Sequence, residues 1–294
     1  MGYMGNTVTD IHSGEAEEAK RQALKSKVLD IFKVSTVPTV LKKIIEITDD
    51  PLSGISDLEA VIEHDQAIAS RVVAVSNAVY YGFPRKISSI HQAILVLGFE
   101  MVKGLAVSST IFNVPNPSTR KVLSSLWGHS FEVAMASVMI SKKSGLVNKE
   151  IAFLAGLLHD IGRPILIQVL NKEYLEVCAF DRNCLGREKS EFGADHAEAG
   201  TWFIEKCKLP EDCVHAIRYH HTPEACLEDT KTLPPLVKTV YLANLLSTEQ
   251  KDKYAVISPM HSAIMKDLGV TAEELDKFSD ELSGVRSEIS AYYD

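Results

Sequence analysis

His159 and Asp160 stand side by side in LAGLLHDIGRPIL, residues 154 to 166. A run rich in Leu and Ala ends there on an imidazole and a carboxylate, followed by Gly162 and the basic Arg163. Burying an unpaired charge costs several kcal/mol or more. The pair is therefore either solvated at a helix end or set against something positive. Six of the ten histidines fall between 129 and 221: His129, His159, His196, His215 and the pair His220–His221. Neutral imidazole with carboxylate suits zinc, iron, manganese or nickel, whereas calcium would take oxygen ligands alone. Asp160 is the natural bridge, because a carboxylate can offer one oxygen to each of two ions. Ligands far apart in sequence follow no sharp spacing rule. Spacing thus leaves His129, His159, Asp160 and His196 open between a metal site and ordinary satisfied side chains. His12, His64, His91 and His261 read as structural or surface residues, and His215 as an outer hydrogen-bond partner or nothing.

The elements that must position these groups are helices. VPTVLKKIIEITDD puts Val40, Leu41, Ile44, Ile45 and Thr48 on one face, with Pro38 placed to open the helix. Ile68, Val72, Val75 and Val79 recur at helical spacing. SDLE at 56 to 59, SIHQ at 89 to 92 and TAEE at 271 to 274 have the form of capping boxes. Gly82-Phe83-Pro84, Gly98 and Gly145 read as stops. About a dozen helices and no sheet are expected. FNVPNPSTR, 112 to 120, is the clearest break, and a long amphipathic helix from about Lys121 to Ser144 follows it, carrying His129. The expected layout is a tail over 1–20, an N-terminal helical half over 21–115, a second half over 116–250 and terminal helices over 251–294.

The bulk numbers exclude several classes. The chain of 294 residues has a net charge of −8 and a pI near 5.7, which argues against broad nucleic-acid binding, a process driven by clustered Lys and Arg. Five cysteines without a C-x-x-C pair indicate neither a disulfide framework nor a Cys-rich zinc site. The first twenty residues lack a signal-peptide pattern, and Asn6 breaks the myristoylation pattern. No apolar run approaches the roughly 18 residues that would span a bilayer. A cytoplasmic protein with no membrane partner is the expectation.

The run H…HD…H…HH, with HDIG followed by a basic residue, resembles the HD superfamily of metal-dependent phosphohydrolases. VSTVPTVLKKIIEITDDP, the stretch from Leu58 to Phe112, and LWGHSFEVA are similar to the HDOD family, the HD-related output domain of bacterial signalling proteins. The resemblance covers roughly residues 30 to 250. It implies an all-α fold of two helical sub-bundles packed as one unit, the second HD-phosphohydrolase-like, in a bacterial regulatory protein. Carried over to this sequence, the HD pattern makes His129, His159 and Asp160 ligands of a first ion. His196 with one or both of His220 and His221 would hold a second, bridged by Asp160. One or two divalent ions, Fe, Zn or Mn, are thereby implied. HD enzymes supply a late Asp where this chain has Asn244, in YLANLLS, so the first ion loses a charged anchor. Arg163 stands where Lys is usual, and would be the phosphate contact of an active site. HHTPEACLED lacks the Gly-Tyr-Pro element of the cyclic di-GMP phosphodiesterases.

Three readings follow. The first is an output or interaction module that keeps a metal-binding core but has little or no catalysis. The second is an active metal-dependent phosphodiesterase or nucleotide phosphohydrolase. The third, a nucleic-acid regulator, draws residues 58 to 81 as a helix-turn-helix beside Arg71, Arg85 and Lys86. Its second helix is mostly Val and Ala, which reads as core rather than as a reader of base edges. The expected partner is a signalling protein or a small phosphate-containing ligand. Tyr80, Tyr81 and Phe83 beside Arg85 could anchor an interface, although packing on the core explains them as well.

Overall fold

The computed structural model describes residues 7–31, 39–77, 87–112, 117–178, 184–247 and 258–290, with backbone alone for 7–13, 117 and 283–290. Every element among them is helical. In chain order they are α1 (Thr7–Asp30), α2 (Thr39–Asp49), α3 (Ile55–Ile62), α4 (Gln66–Ser76), α5 (Ile90–Phe112), α6 (Pro117–Ser144), α7 (Lys149–Leu158) and α8 (Gly162–Leu170). Then follow α9 (Lys172–Cys178), α10 (Leu185–Phe192), α11 (His196–Lys206), α12 (Glu211–Tyr219), α13 (Pro223–Thr230), α14 (Pro235–Leu246), α15 (Pro259–Leu268) and α16 (Ala272–Ser290).

The periodic apolar residues bury as their spacing requires. Leu41 and Ile44 of α2 and Ile68, Val72 and Val75 of α4 enter the core. Arg71 lies over the Trp127 ring at 5.6 Å. Asp65 caps α4 by accepting from the Ala67 and Ile68 amides, each at 3.0 Å. Ser89 and Thr271 cap α5 and α16 as their sequences suggest. The box at 56 to 59 does not form there. Gly54 is the N-cap of α3 and Asp57 accepts from its amide at 2.8 Å, so this bond sets the start. Pro38, Val79 and the segment from Tyr80 to Lys86, with its Gly82-Phe83-Pro84 stop, lie outside the described residues.

α2, α3 and α4 gather on α5, while α6, α7, α8, α11, α12 and α14 form the second sub-bundle, with α15 and α16 laid on α6 and α14. α5 belongs to both. Gly98, at φ 77° and ψ 167°, breaks it into two helical stretches as the expected stop requires, and α5 also packs against α6, α7 and α8. The apolar stretches Ile90–Phe112 and Lys149–Leu170 are, contrary to the sequence expectation, long and apolar enough to cross a membrane. They are 67% and 89% buried among the other helices.

α1 departs from the expected layout. Residues from Thr7 onward are helical rather than a tail, and the helix packs on α8, α10 and α11. Leu24 and Val28 are buried there, Arg21 Nε donates to Glu198 at 3.0 Å, and its guanidinium lies 5.2 Å from the Trp202 ring.

A buried lysine ties the halves together. Lys103 of α5 is 1% exposed, and its Nζ reaches Asp49 at the end of α2 (3.3 Å), Glu100 (3.2 Å) and the carbonyl of Lys208 beyond α11 (2.9 Å). Lys103→Met keeps the bulk and removes these bonds. Asp49 and Glu100 can partly rehydrate, so the cost falls below that of breaking a fully buried pair. About 2 kcal/mol is expected in urea unfolding. A loss under roughly 0.5 kcal/mol, the range of an ordinary surface change, would refute the latch.

Candidate metal centre

Helix ends deliver most of the site. α7 starts at Asn148, whose side chain accepts from the Glu150 and Ile151 amides, and is apolar and buried over Ala152–Leu158. That fixes its C-terminal end in the core, where His159 is the C-cap and Asp160 the next turn residue. His196 opens α11 behind the N-cap Asp195, which accepts from the Glu198 amide at 2.9 Å. His220 caps α12 and His221 follows it. His129 comes from inside α6, and Asn244 from α14, which packs on α6, α7 and α12.

The five histidines meet around one carboxylate. Asp160 Oδ2 lies 3.8 Å from His129 Nε2 and 3.7 Å from His159 Nε2. Its Oδ1 lies 3.1 Å from His196 Nε2 and 3.3 Å from His220 Nε2. His221 Nε2 is 3.1 Å from His196 Nε2. Two groups result, His129–His159–Asp160 and Asp160–His196–His220–His221, each with its ligand-type atoms within 4.8 Å of one another. They share Asp160, in the split that the HD pattern implies.

The chemistry of the donor set tests whether ions would fit. His159 Nδ1 faces the Gly156 carbonyl at 2.8 Å and His220 Nδ1 the Ile217 carbonyl at 2.7 Å. A carbonyl only accepts, so each Nδ1 carries a proton, and in the neutral ring each Nε2 presents a lone pair. Those lone pairs converge on an anion. The Nε2 atoms of His159 and His220, Asp160 Oδ1 and Asn244 Oδ1 are buried without a hydrogen-bond partner among the described residues. The 3.3 Å approach of His220 to Asp160 is thus proximity without hydrogen-bond alignment. Lone pairs facing a carboxylate in a dry interior repel unless a cation stands between them. The residues fit metal ions.

The HDOD domain family model matches residues 34–223, most of the chain. The chain belongs to the HDOD family. An uncharacterized protein of Treponema pallidum (strain Nichols) is 24% identical over 240 residues, 78% of this chain and 45% of that protein. This HDOD chain therefore spans under half the length of that relative. Its fold is shared with an HDOD domain protein of unknown function from Geobacter sulfurreducens, at 24% identity and TM-score 0.62, covering 93% of this chain and 98% of the other. A candidate signal transduction protein from Marinobacter aquaeolei VT8 has 21% identity and TM-score 0.65, covering 94% and 65%. A candidate phosphohydrolase from Shewanella amazonensis SB2B has 18% identity and TM-score 0.64, covering 91% and 98%.

Burial and mutual charge set the protonation of this HDOD centre. Burial lowers the His159 pKa to about 4, only partly opposed by Asp160, so the imidazole is neutral and able to ligate. Burial likewise holds His221 well below the usual range. Burial pushes the Asp160 carboxyl up, but the imidazoles of His159 and His196 outweigh it and keep the group ionised. His196 is the exception. Burial lowers it, yet Glu188 and Asp160 raise its pKa to about 10, so in the ion-free chain a proton occupies the position an ion would take. Ion binding there must release that proton.

Sequence reading missed Glu188 and Tyr174. Glu188 Oε2 accepts from His196 Nδ1 at 2.7 Å and from the His196 amide at 3.0 Å, while Oε1 accepts from the Tyr174 hydroxyl at 2.6 Å. Only the fold brings Glu188 back to His196, eight residues on, so no motif marked it. Arg163 is placed otherwise than a phosphate contact would be. It is 2% exposed, and its guanidinium donates to the Cys178 carbonyl at 3.2 Å beside Cys184. Cys178, Cys184 and Glu188 form a third close group, but with the Arg163 cation against Cys184 it is poorly suited to an ion. Of the other histidines, His64 is exposed, His91 pairs with Glu59 at 2.8 Å, and His261 belongs to the cap of α15. His215 lines a surface cavity between α11 and α12 with Tyr219 and Arg218, and the His12 side chain lies outside the described residues.

Proposed function

We propose that this chain is a regulatory HDOD module holding one or two transition ions, Fe, Zn or Mn, in a closed centre, with little or no turnover. The carrying observation is closure. His129, His159, Asp160, His196 and His220 are all buried, and only His221 reaches intermediate exposure. Structural ion sites are closed, whereas catalytic ones keep a position open for water or substrate. The cation that would steady a phosphate, Arg163, is engaged with Cys178 instead. A bound ion would supply Lewis acidity and a water of lowered pKa. The chain's own groups do the rest: Asp160 holds two imidazole pairs together, and the Gly156 and Ile217 carbonyls fix the tautomers of His159 and His220. The output of such a module is a contact with a signalling protein or a small phosphate-containing ligand.

The shared carboxylate supports a second reading, since paired ions suit in-line displacement at phosphorus. Elemental analysis with a screen of cyclic di-GMP and simple phosphodiesters separates the two. Ions without turnover support the regulatory module. Turnover of about 1 per second or faster, the low end of ordinary enzymes, that His159→Ala abolishes would replace it with the phosphohydrolase. Protein that neither carries nor binds zinc, iron or manganese would remove both.

Asn244→Asp gives a graded check. The Asn244 side-chain oxygen is buried without a hydrogen-bond partner among the described residues, and an amide offers an ion only its dipole. A carboxylate of nearly the same shape should tighten binding on the order of tenfold, about 1.4 kcal/mol. Unchanged affinity in a competition titration would show that Asn244 does not touch the ion.

A further inference from the structure

The imidazoles around Asp160 are not backed equally. His159 and His220 each direct Nδ1 at a neutral backbone carbonyl. His196 directs Nδ1 at a carboxylate, Glu188, which is fully buried and receives four donors: the His196 ring and amide, the Tyr174 hydroxyl and the Cys184 thiol at 3.3 Å. An anion behind an imidazole fixes the proton on Nδ1, holds the ring plane and makes Nε2 a stronger donor. Resting on the metal reading above, we infer that Glu188 is a positioning residue that makes the Asp160–His196–His220–His221 group the tighter of the two ion positions.

Burial strengthens the argument. Keeping an anion in a dry interior is costly unless it is charge-compensated and fully hydrogen-bonded. Here Tyr174 and Cys184 take one oxygen and His196 takes the other twice, with the Arg163 guanidinium alongside Cys184. The elements agree. α10 supplies Glu188, and Gly193 at φ 84° turns the chain so that α11 starts with His196 against it. In the other group the His159 ring is backed by the neutral Gly156 carbonyl, so that imidazole gains no comparable anionic support.

Cobalt(II) titration of the metal-free full chain, followed by the visible bands of the bound ion, tests this. The wild type should fill in two steps, with His196→Ala removing the tight one. Glu188→Gln, equal in shape but neutral, should weaken the tight step 10- to 100-fold and leave the second within about threefold. Glu188→Asp, shorter but charged, should bind better than Glu188→Gln. A residue that merely fills space would give the reverse order, because Gln fits the cavity and Asp does not. That reversed order, or an unchanged tight step in Glu188→Gln, overturns the inference while leaving the metal reading standing. If the wild type fills in one step, the same comparison applies to that step. A wild type that takes up no cobalt overturns both. Should Glu188→Gln fail to fold by circular dichroism, tight binding by a folded Glu188→Asp upholds the inference, and its loss overturns it.

Discussion

Asp160→Ala is expected to empty both ion positions. Asp160 is 3% exposed and the one carboxylate that both ligand groups share. Each oxygen faces two imidazoles, Oδ2 those of His129 and His159, Oδ1 those of His196 and His220. Without it, an ion at either position would lose its directly ligating anion, leaving the second position only the indirect charge of Glu188 behind His196, and a bridged pair would lose the charge that screens one ion from the other. Loss of an outer-shell partner lowers affinity 10- to 100-fold, so loss of the bridging ligand should exceed 100-fold at both positions. Stability follows by mass action. Ion present at a hundredfold over its dissociation constant stabilises the wild type by about 2.7 kcal/mol, and Asp160→Ala should show almost none of that gain. Melting curves with and without added zinc, together with elemental analysis, read both effects. Two ions per chain retained in Asp160→Ala would mean that the histidines bind without the bridge.

The effect depends on a pair of residues visible in the sequence, and the parts of this protein that were legible share that property. HDIG, the histidine pair and the caps at Ser89 and Thr271 are local signals, and local geometry realises them. Leu41, Ile44, Val72 and Val75 were placed in the core because the 3.6 period encodes burial directly. What escaped reading depends on contacts between residues far apart. α1 resembles any polar terminal segment until Leu24 and Val28 meet α8 and α11. Glu188 is one acidic residue among many in REKSEFGADH until α10 turns it onto His196. Arg163 follows HDIG as a phosphate-gripping residue would, yet its direction was decided by the Cys178 carbonyl, fifteen residues away. The start of α3 moved from Ser56 to Gly54 because Asp57 competes for the same cap. Long apolar stretches read the same way whether they cross a membrane or lie inside a bundle, and only the fold shows how much of α5 and α7–α8 the other helices bury.

Gly162→Ala should be the most damaging single-methyl change near the centre, although the residue ligates nothing. Gly162 follows the His159–Asp160 pair by two positions and starts α8 where it crosses α11. A Cβ built there would run into the His196 carbonyl oxygen, with the His196 carbonyl carbon at 2.7 Å and the Gly200 amide nitrogen at 2.8 Å. All three obstacles are backbone, so no side chain can swing away, and relief requires the two helices to part. Overpacking a tight core costs about 1–3 kcal/mol and occasionally more, and a clash with rigid backbone belongs at the upper end. At roughly 2–4 °C per kcal/mol for a chain of this order, the melting temperature should fall by about 5 °C or more. Ion binding should fall with it, because the carbonyl being pushed belongs to His196, and its Nε2 lies 3.1 Å from Asp160 Oδ1. Gly200→Ala, on the facing helix, supplies the control. Its Cβ would meet the Gly162 nitrogen at 3.1 Å and methyl carbons of Ile161 and Ile217 at 3.2 Å, contacts that a few tenths of an ångström relieve. It should cost visibly less in both stability and ion affinity. If Gly162→Ala melts within about 2 °C of the wild type and keeps its ions, or if Gly200→Ala is the worse of the two, the glycine of HDIG does not set the approach of α8 to α11, and the position of His196 must be fixed by α10 and Glu188 alone.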